Sequence, residues 1–219
     1  MIRNSRRSLG IDTFCECLRT AMDRYGVEKD GFDQKDLLPT AAVLAARIID
    51  AKKIRGYQKP RICITHLEKD NDRKWAKVYL KRRARCLPEE CMLDIYCYRS
   101  QADPFRPIFT VECEGSDGHS DSVTAHASSL NCDYLWDLYK LLQVPSPLRI
   151  FLARCRENKR SLLERKVAAL VKGYRRNLVD DDEVFAVIFP SRRWKKENIR
   201  VQGWTGPQAT STQPQRLYS

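Results

Sequence analysis

The sequence predicts an α/β fold, a mixed central sheet flanked by helices, and three observations carry that reading. The middle of the chain runs helix, strand, strand, helix, strand, helix, strand, an alternation that builds a mixed α/β sandwich. At 219 residues the chain is long enough for one domain with a buried core. Its 42% apolar and 31% charged residues are ordinary for a folded protein, which argues against global disorder.

The elements follow in order. Residues 1–10 are basic and lack a pattern. "IDTFCECLRTAMDRYG" places Ile11, Phe14, Cys15, Leu18 and Met22 on a helical stripe that Gly26 ends. "DLLPTAAVLAARIIDAKKI" reads as a second helix, capped by Asp36 or Thr40, with Pro39 tolerable only near its first turn. "RICITHL" is a short strand-type run. "NDRKWAKVYLKRRA" is an amphipathic helix with Trp75, Val78, Tyr79 and Ala84 inward and a basic outer face. "CMLDIYCY" and "RPIFTVECE" are two strands joined by "RSQADPF", whose Asp-Pro marks a turn. "SSLNCDYLWDLYKLLQV" is a helix with its leucines inward and Trp136 in the core. The strand "LRIFLARC", the basic helix "NKRSLLERKVAALVKGYRRNL" and the strand "EVFAVIFP" follow. From "SRRWKKENIR" onward the Gly/Pro/Gln/Thr-rich tail reads as disordered. The chain thus divides into an N-terminal helical extension (1–60), an α/β core (61–190) and a basic tail (191–219).

Net charge is +12, which favours a polyanionic partner such as nucleic acid, with a merely solvated basic surface as the open alternative. The N-terminus lacks the apolar stretch of a signal peptide and no run approaches a membrane span, so a cytoplasmic protein without a membrane partner is expected. Nine cysteines at irregular spacings, with no C-x-x-C pair, fit a reducing compartment and no zinc site. Cys63, Cys97 and Cys113 lie in apolar strand-type runs and pack as small hydrophobes. Oligomeric state is not legible.

The chemistry concentrates in the acids. In "PIFTVECEG", Glu112 and Glu114 share one strand face, while Phe109, Val111 and Cys113 point into a core. Two like charges roughly 7 Å apart repel unless solvent, a lysine or a metal ion intervenes. Asp94 interrupts the apolar run before them, where a strand favours valine or isoleucine. On neighbouring strands Asp94 can lie across from the glutamates and close an acidic pocket suited to a hard cation. On the next helix Asp133, Trp136, Asp137 and Lys140 fall at spacings of three and four, and Lys140 runs its stem along leucines toward that pocket. The bland alternatives are acids at a strand end paired with arginines, and a lysine snorkelling to water. "GSDGHSDSVTAHASS" offers Ser120, His119, His126 and Asp121 for a hydrolytic triad, but without a G-x-S-x-G elbow.

An acid in one strand ("LDIY", Asp94), an E-x-[DEK] in the next ("TVECE", Glu112 and Glu114), then a helix and a strand resemble the PD-(D/E)-x-K nuclease superfamily. Glu114 stands where that family places its lysine, and "LWDLYKLL" resembles members that carry it on the following helix, here Lys140. Leu93 replaces the usual proline. The resemblance implies a restriction-endonuclease-like core, with Mg²⁺ (or Mn²⁺) held by Asp94, Glu112 and Glu114 and phosphodiester hydrolysis assisted by Glu114 and Lys140. Nucleic-acid backbone contacts are expected from the basic runs, at Lys77, Lys81, Arg82 and Arg83 and at Lys172, Arg175 and Arg176. The alternative is a catalytically inactive nuclease-like module that binds nucleic acid or a protein partner.

Overall fold

The computed structural model describes residues 8–24, 34–54, 59–64, 80, 82–87, 92–99, 107–114, 133–190 and 196–218. Among them, nine strands form one sheet: β1 (Arg61–Ile64), β2 (Arg85–Leu87), β3 (Ile95–Tyr98), β4 (Pro107–Glu114), β5 (Leu148–Cys155), β6 (Glu183–Pro190), β7 (Arg200–Thr205), β8 (Thr210–Ser211) and β9 (Gln215–Arg216). The order across the sheet is β2-β1-β3-β4-β5-β6-β7-β8, with β9 also paired to β7. Strands β1, β3 and β4 pair antiparallel in sequence, β4, β5 and β6 pair parallel, and β7 returns antiparallel. The sheet is therefore mixed, as expected.

Parallel neighbours need crossovers, and helices supply them: α3 (Asp133–Gln143) between β4 and β5, α4 (Glu157–Gly173) between β5 and β6. Both crossovers step the same way along the sheet, so the common hand of such connections sends both helices to one face. The other face is covered by α1 (Ile11–Arg24) and α2 (Gln34–Ala51). Period-two alternation then sorts the core. Val111, Ile150 and Val187 pack beneath α1 and α2, while Phe151, Ala186 and Ile188 pack beneath α3 and α4. Every residue of β5 and β6 is buried, the mark of strands covered on both faces.

Three expectations need correction. The N-terminal helices are a layer of the sandwich: Phe14, Leu18, Leu44 and Ile48 join the same apolar cluster as Phe109 and Val111. Within that layer α2 starts at Gln34, ahead of either expected cap, and takes Pro39 into its body, where it removes one backbone donor. Thr40, offered as a cap, is fully buried. The C-terminal stretch is ordered from residue 196, where Ile199, Val201, Trp204 and Leu217 are buried. Its strands are short, and Gly203 lets β7 close on Phe185: a Cβ there would sit 2.8 Å from the ring. The helix expected over 71–84 falls mostly outside the described residues, although Leu80 and Ala84 pack into the core beneath α1 and α2. Cys63 and Cys97 are buried and reduced, and Cys113 is partly buried and reduced. Among the described residues no helix is long and apolar enough to cross a membrane.

Candidate functional site

The register of β3 and β4 sets the site. Ile95 pairs with Val111, which brings Asp94, one residue before β3, across from Glu112. Each carboxylate then accepts from the opposite backbone: Asp94 N–H donates to Glu112 Oε2 at 3.2 Å, and Cys113 N–H donates to Asp94 Oδ2 at 2.7 Å. Sequence reading placed Asp94 inside a strand, but the ladder stops at Ile95, and the free end lets its side chain turn back onto β4. Alternation sends Phe109 and Val111 to the α1–α2 core and Glu112 toward α3.

The amphipathic pattern of α3 buries Leu138, Leu141 and Leu142 and leaves Asp137 and Lys140 one turn apart along the margin. Lys140 Nζ lies 2.9 Å from Glu112 Oε1 and 2.7 Å from Asp137 Oδ1. Glu112 Oε1 is buried, and the ammonium that meets it is divided between Glu112 and Asp137.

The electrostatics follow from burial. Glu112 is only 3% exposed, and burial, with Asp94 beside it, pushes its carboxyl up to about 8 against the pull of Lys140. Burial also raises Asp94, against the hydrogen bond from Cys113. For Lys140 burial works against the ammonium, but the bonds to Asp137 and Glu112 outweigh it and its pKa rises. One ammonium thus meets two carboxylates, with Asp94 beside them. Another deep ion pair differs: Arg149 meets Asp182 at 3.0 Å, and its Nε donates to the Val144 carbonyl.

Comparison with protein-family models, curated proteins and solved structures found no match. The site is described by its own geometry.

That geometry unites Asp94, Glu112 and Lys140, from three different elements. It does not unite all three predicted metal-binding acids: among the described residues no group of three acid, histidine or cysteine side chains gathers as a metal-ligand set. Glu114 shares Glu112's face, but it lies two residues further along β4, past the end of β3, and is partly buried there. Asp137 takes the place that sequence reading gave to Glu114. Its signal was present in the spacing to Lys140. Trp136, expected in the core, is 51% exposed.

The predicted basic contacts separate. Lys172, Arg175 and Arg176 are exposed at the end of α4, in the same layer as α3. Arg82 is exposed, and Arg83 binds Asp50 of α2 at 2.7 Å; both adjoin Leu80 and Ala84, which pack toward the opposite face. Lys77 and Lys81 lie outside the described residues, as do His119, Ser120, Asp121 and His126.

Proposed function

We propose that this chain is a metal-dependent phosphodiester hydrolase acting on DNA or RNA, with a restriction-endonuclease-like core. The observation that carries the reading is the convergence of Asp94, Glu112 and Lys140 from a strand entry, the next strand and the following helix. The order around them supports it: two antiparallel strands bear the acids, a helix bears the lysine, and a parallel strand follows.

The residues fit a divalent cation. With Asp94, Glu112 and Asp137 around one ammonium, the fully ionised cluster carries two uncompensated negative charges. Mg²⁺ is commonly bound by one or two carboxylates, with water and substrate phosphate completing its shell, so Asp94 and Glu112 suffice as protein ligands. Bound there, Mg²⁺ or Mn²⁺ would supply charge neutralisation at the phosphate and a water acidified toward a pKa of about 7.

The chain's own groups do the rest. Backbone donors from Asp94 and Cys113 fix the carboxylate orientations. Asp137 holds Lys140 at the rim, where its ammonium stabilises negative charge developing on the phosphoryl oxygens. Glu114, further out on the same face, would orient the attacking water. Lys172, Arg175 and Arg176 contact the phosphate backbone, giving salt-sensitive affinity with little sequence information.

The test is cleavage of plasmid and single-stranded DNA with Mg²⁺ or Mn²⁺. Glu112→Gln and Lys140→Ala are expected to lose about a hundredfold or more of the rate while keeping the wild-type circular dichroism spectrum. Metal-independent cutting, or full activity in Glu112→Gln, overturns the site. A second reading, a non-cutting binding module, is favoured by one observation: Glu114 stands at the expected lysine position. Salt-sensitive binding without cleavage would establish it.

A further inference from the structure

Single exposed apolar side chains are ordinary, whereas contiguous exposed rings beside polar groups mark an interaction surface. Three are exposed among the described residues: Met92, Trp136 and Val179. Two adjoin the acidic centre along the chain. Met92 is 77% exposed two residues before Asp94, and Trp136 stands one helical turn before Lys140. The leucine stripe of α3 already seals the core, so Trp136 is surplus to packing.

Trp136 is also not isolated. Its ring stacks on Tyr139, centroids 5.5 Å apart and planes at 23°, and Tyr139 meets Tyr174 edge-on at 5.3 Å and 80°. Tyr174 follows α4 as its C-terminal cap. The rings therefore form a braced ledge spanning α3 and α4. Tyr174 is followed directly by Arg175 and Arg176, and Lys172 lies two residues before it; all three are exposed.

We infer that this ledge binds single-stranded nucleic acid, with a base stacked on Trp136 and the adjoining phosphates held by Lys172, Arg175 and Arg176. Flat aromatic faces beside arginines match a strand whose bases are free, because any base presents a π-face and each nucleotide adds one charge. Paired bases in a duplex have no open face to offer. The inference rests on the nucleic-acid reading above and narrows its substrate to unpaired strands, or to duplexes with unpaired ends.

The experiment is fluorescence anisotropy of labelled (dT)15 and of the matching 15-base-pair duplex, with full-length protein in EDTA so that nothing is cut. Wild type is expected to bind the single strand more tightly than the duplex. Trp136→Ala is expected to weaken (dT)15 about tenfold, and Trp136→Phe to recover most of that loss. Arg175→Ala with Arg176→Ala is expected to flatten the dependence of log affinity on log salt by about 1.4, the share of two single-strand phosphate contacts. Equal binding by wild type and Trp136→Ala overturns the inference, as does equal affinity for the duplex or no binding of either probe. Because binding is read without metal, the two readings fail separately. Protein that never cuts yet needs Trp136 to hold (dT)15 keeps the ledge and loses the nuclease. Protein that cuts with Mg²⁺ but is indifferent to Trp136 does the reverse.

Discussion

Replacing Glu112 by glutamine is expected to stabilise the metal-free protein above neutral pH while removing its function. In the fold burial pushes the Glu112 carboxyl up to about 8, against an ordinary value of 4.5. Below pH 4.5 folded and unfolded chains both hold the proton, and the site adds no pH dependence. Between those values the folded state keeps a proton that the unfolded chain releases, so stability falls as pH rises, by about 1.4 kcal/mol per pH unit. From pH 5 to 8 one such proton accounts for up to about 4 kcal/mol, a large part of the 5–15 kcal/mol typical of a domain. Asp94, also raised by burial, acts in the same direction. The assay is urea unfolding followed by far-UV circular dichroism at pH 5, 6, 7 and 8 in EDTA. Wild type should lose stability across the series. Glu112→Gln should be flatter, converge with wild type near pH 5, and exceed it at pH 8. Added Mg²⁺ at pH 8 should restore the wild type and leave the glutamine variant unmoved, because metal binding draws on the deprotonated carboxylate. The reasoning is refuted if both proteins show the same pH slope and the variant is the less stable at pH 8. Lys140 would then already satisfy Glu112, and the acids would be an ordinary ion pair.

Two further predictions concern the scaffold. Asp182→Ala leaves the Arg149 guanidinium buried without its carboxylate, and should cost about 3–5 kcal/mol in urea unfolding with the cluster of Asp94, Glu112 and Lys140 unaltered. Gly203→Ala drives a methyl group to 2.8 Å from Phe185, whose ring stacks on Phe14 at 4.3 Å, and should cost about 1–3 kcal/mol by the same measurement.

What the sequence disclosed of the fold follows from how local each cause is. Strands β5 and β6 and helix α3 were legible because an apolar run between breakers, or a leucine stripe, is a property of neighbouring residues. The edges were not. β2 has three residues, β8 and β9 two each, and such strands exist only because a partner offers its backbone groups. The tail's Gly, Pro and Gln content concealed β7, whose burial depends on Gly203 closing against Phe185. Likewise the stripes of α1 and α2 announced helices, but not which surface they would cover.

The site was half legible for the same reason. A charge inside an apolar run is costly, so Asp94 and Glu112 stood out without any partner being known. Which acid meets which is a question of register. β3 begins at Ile95, so Asp94 faces Glu112 and leaves Glu114 beyond the ladder; period two fixes the face but not the distance along it. Asp137 enters instead because a helix brings it one turn from Lys140. The cluster differs from the pair of Arg149 and Asp182 in its balance of charge. There one cation meets one anion, and a carbonyl takes up a further donor, the balance a fold needs to bury charge. At Lys140 one ammonium serves Glu112 and Asp137 directly, with Asp94 hydrogen-bonded beside them, and the two inner carboxyls are driven toward protonation. Packing alone gives no reason to keep that imbalance, since a neutral side chain at position 112 would remove it. A cation that arrives after folding does give a reason, and the excess negative charge is what would hold it.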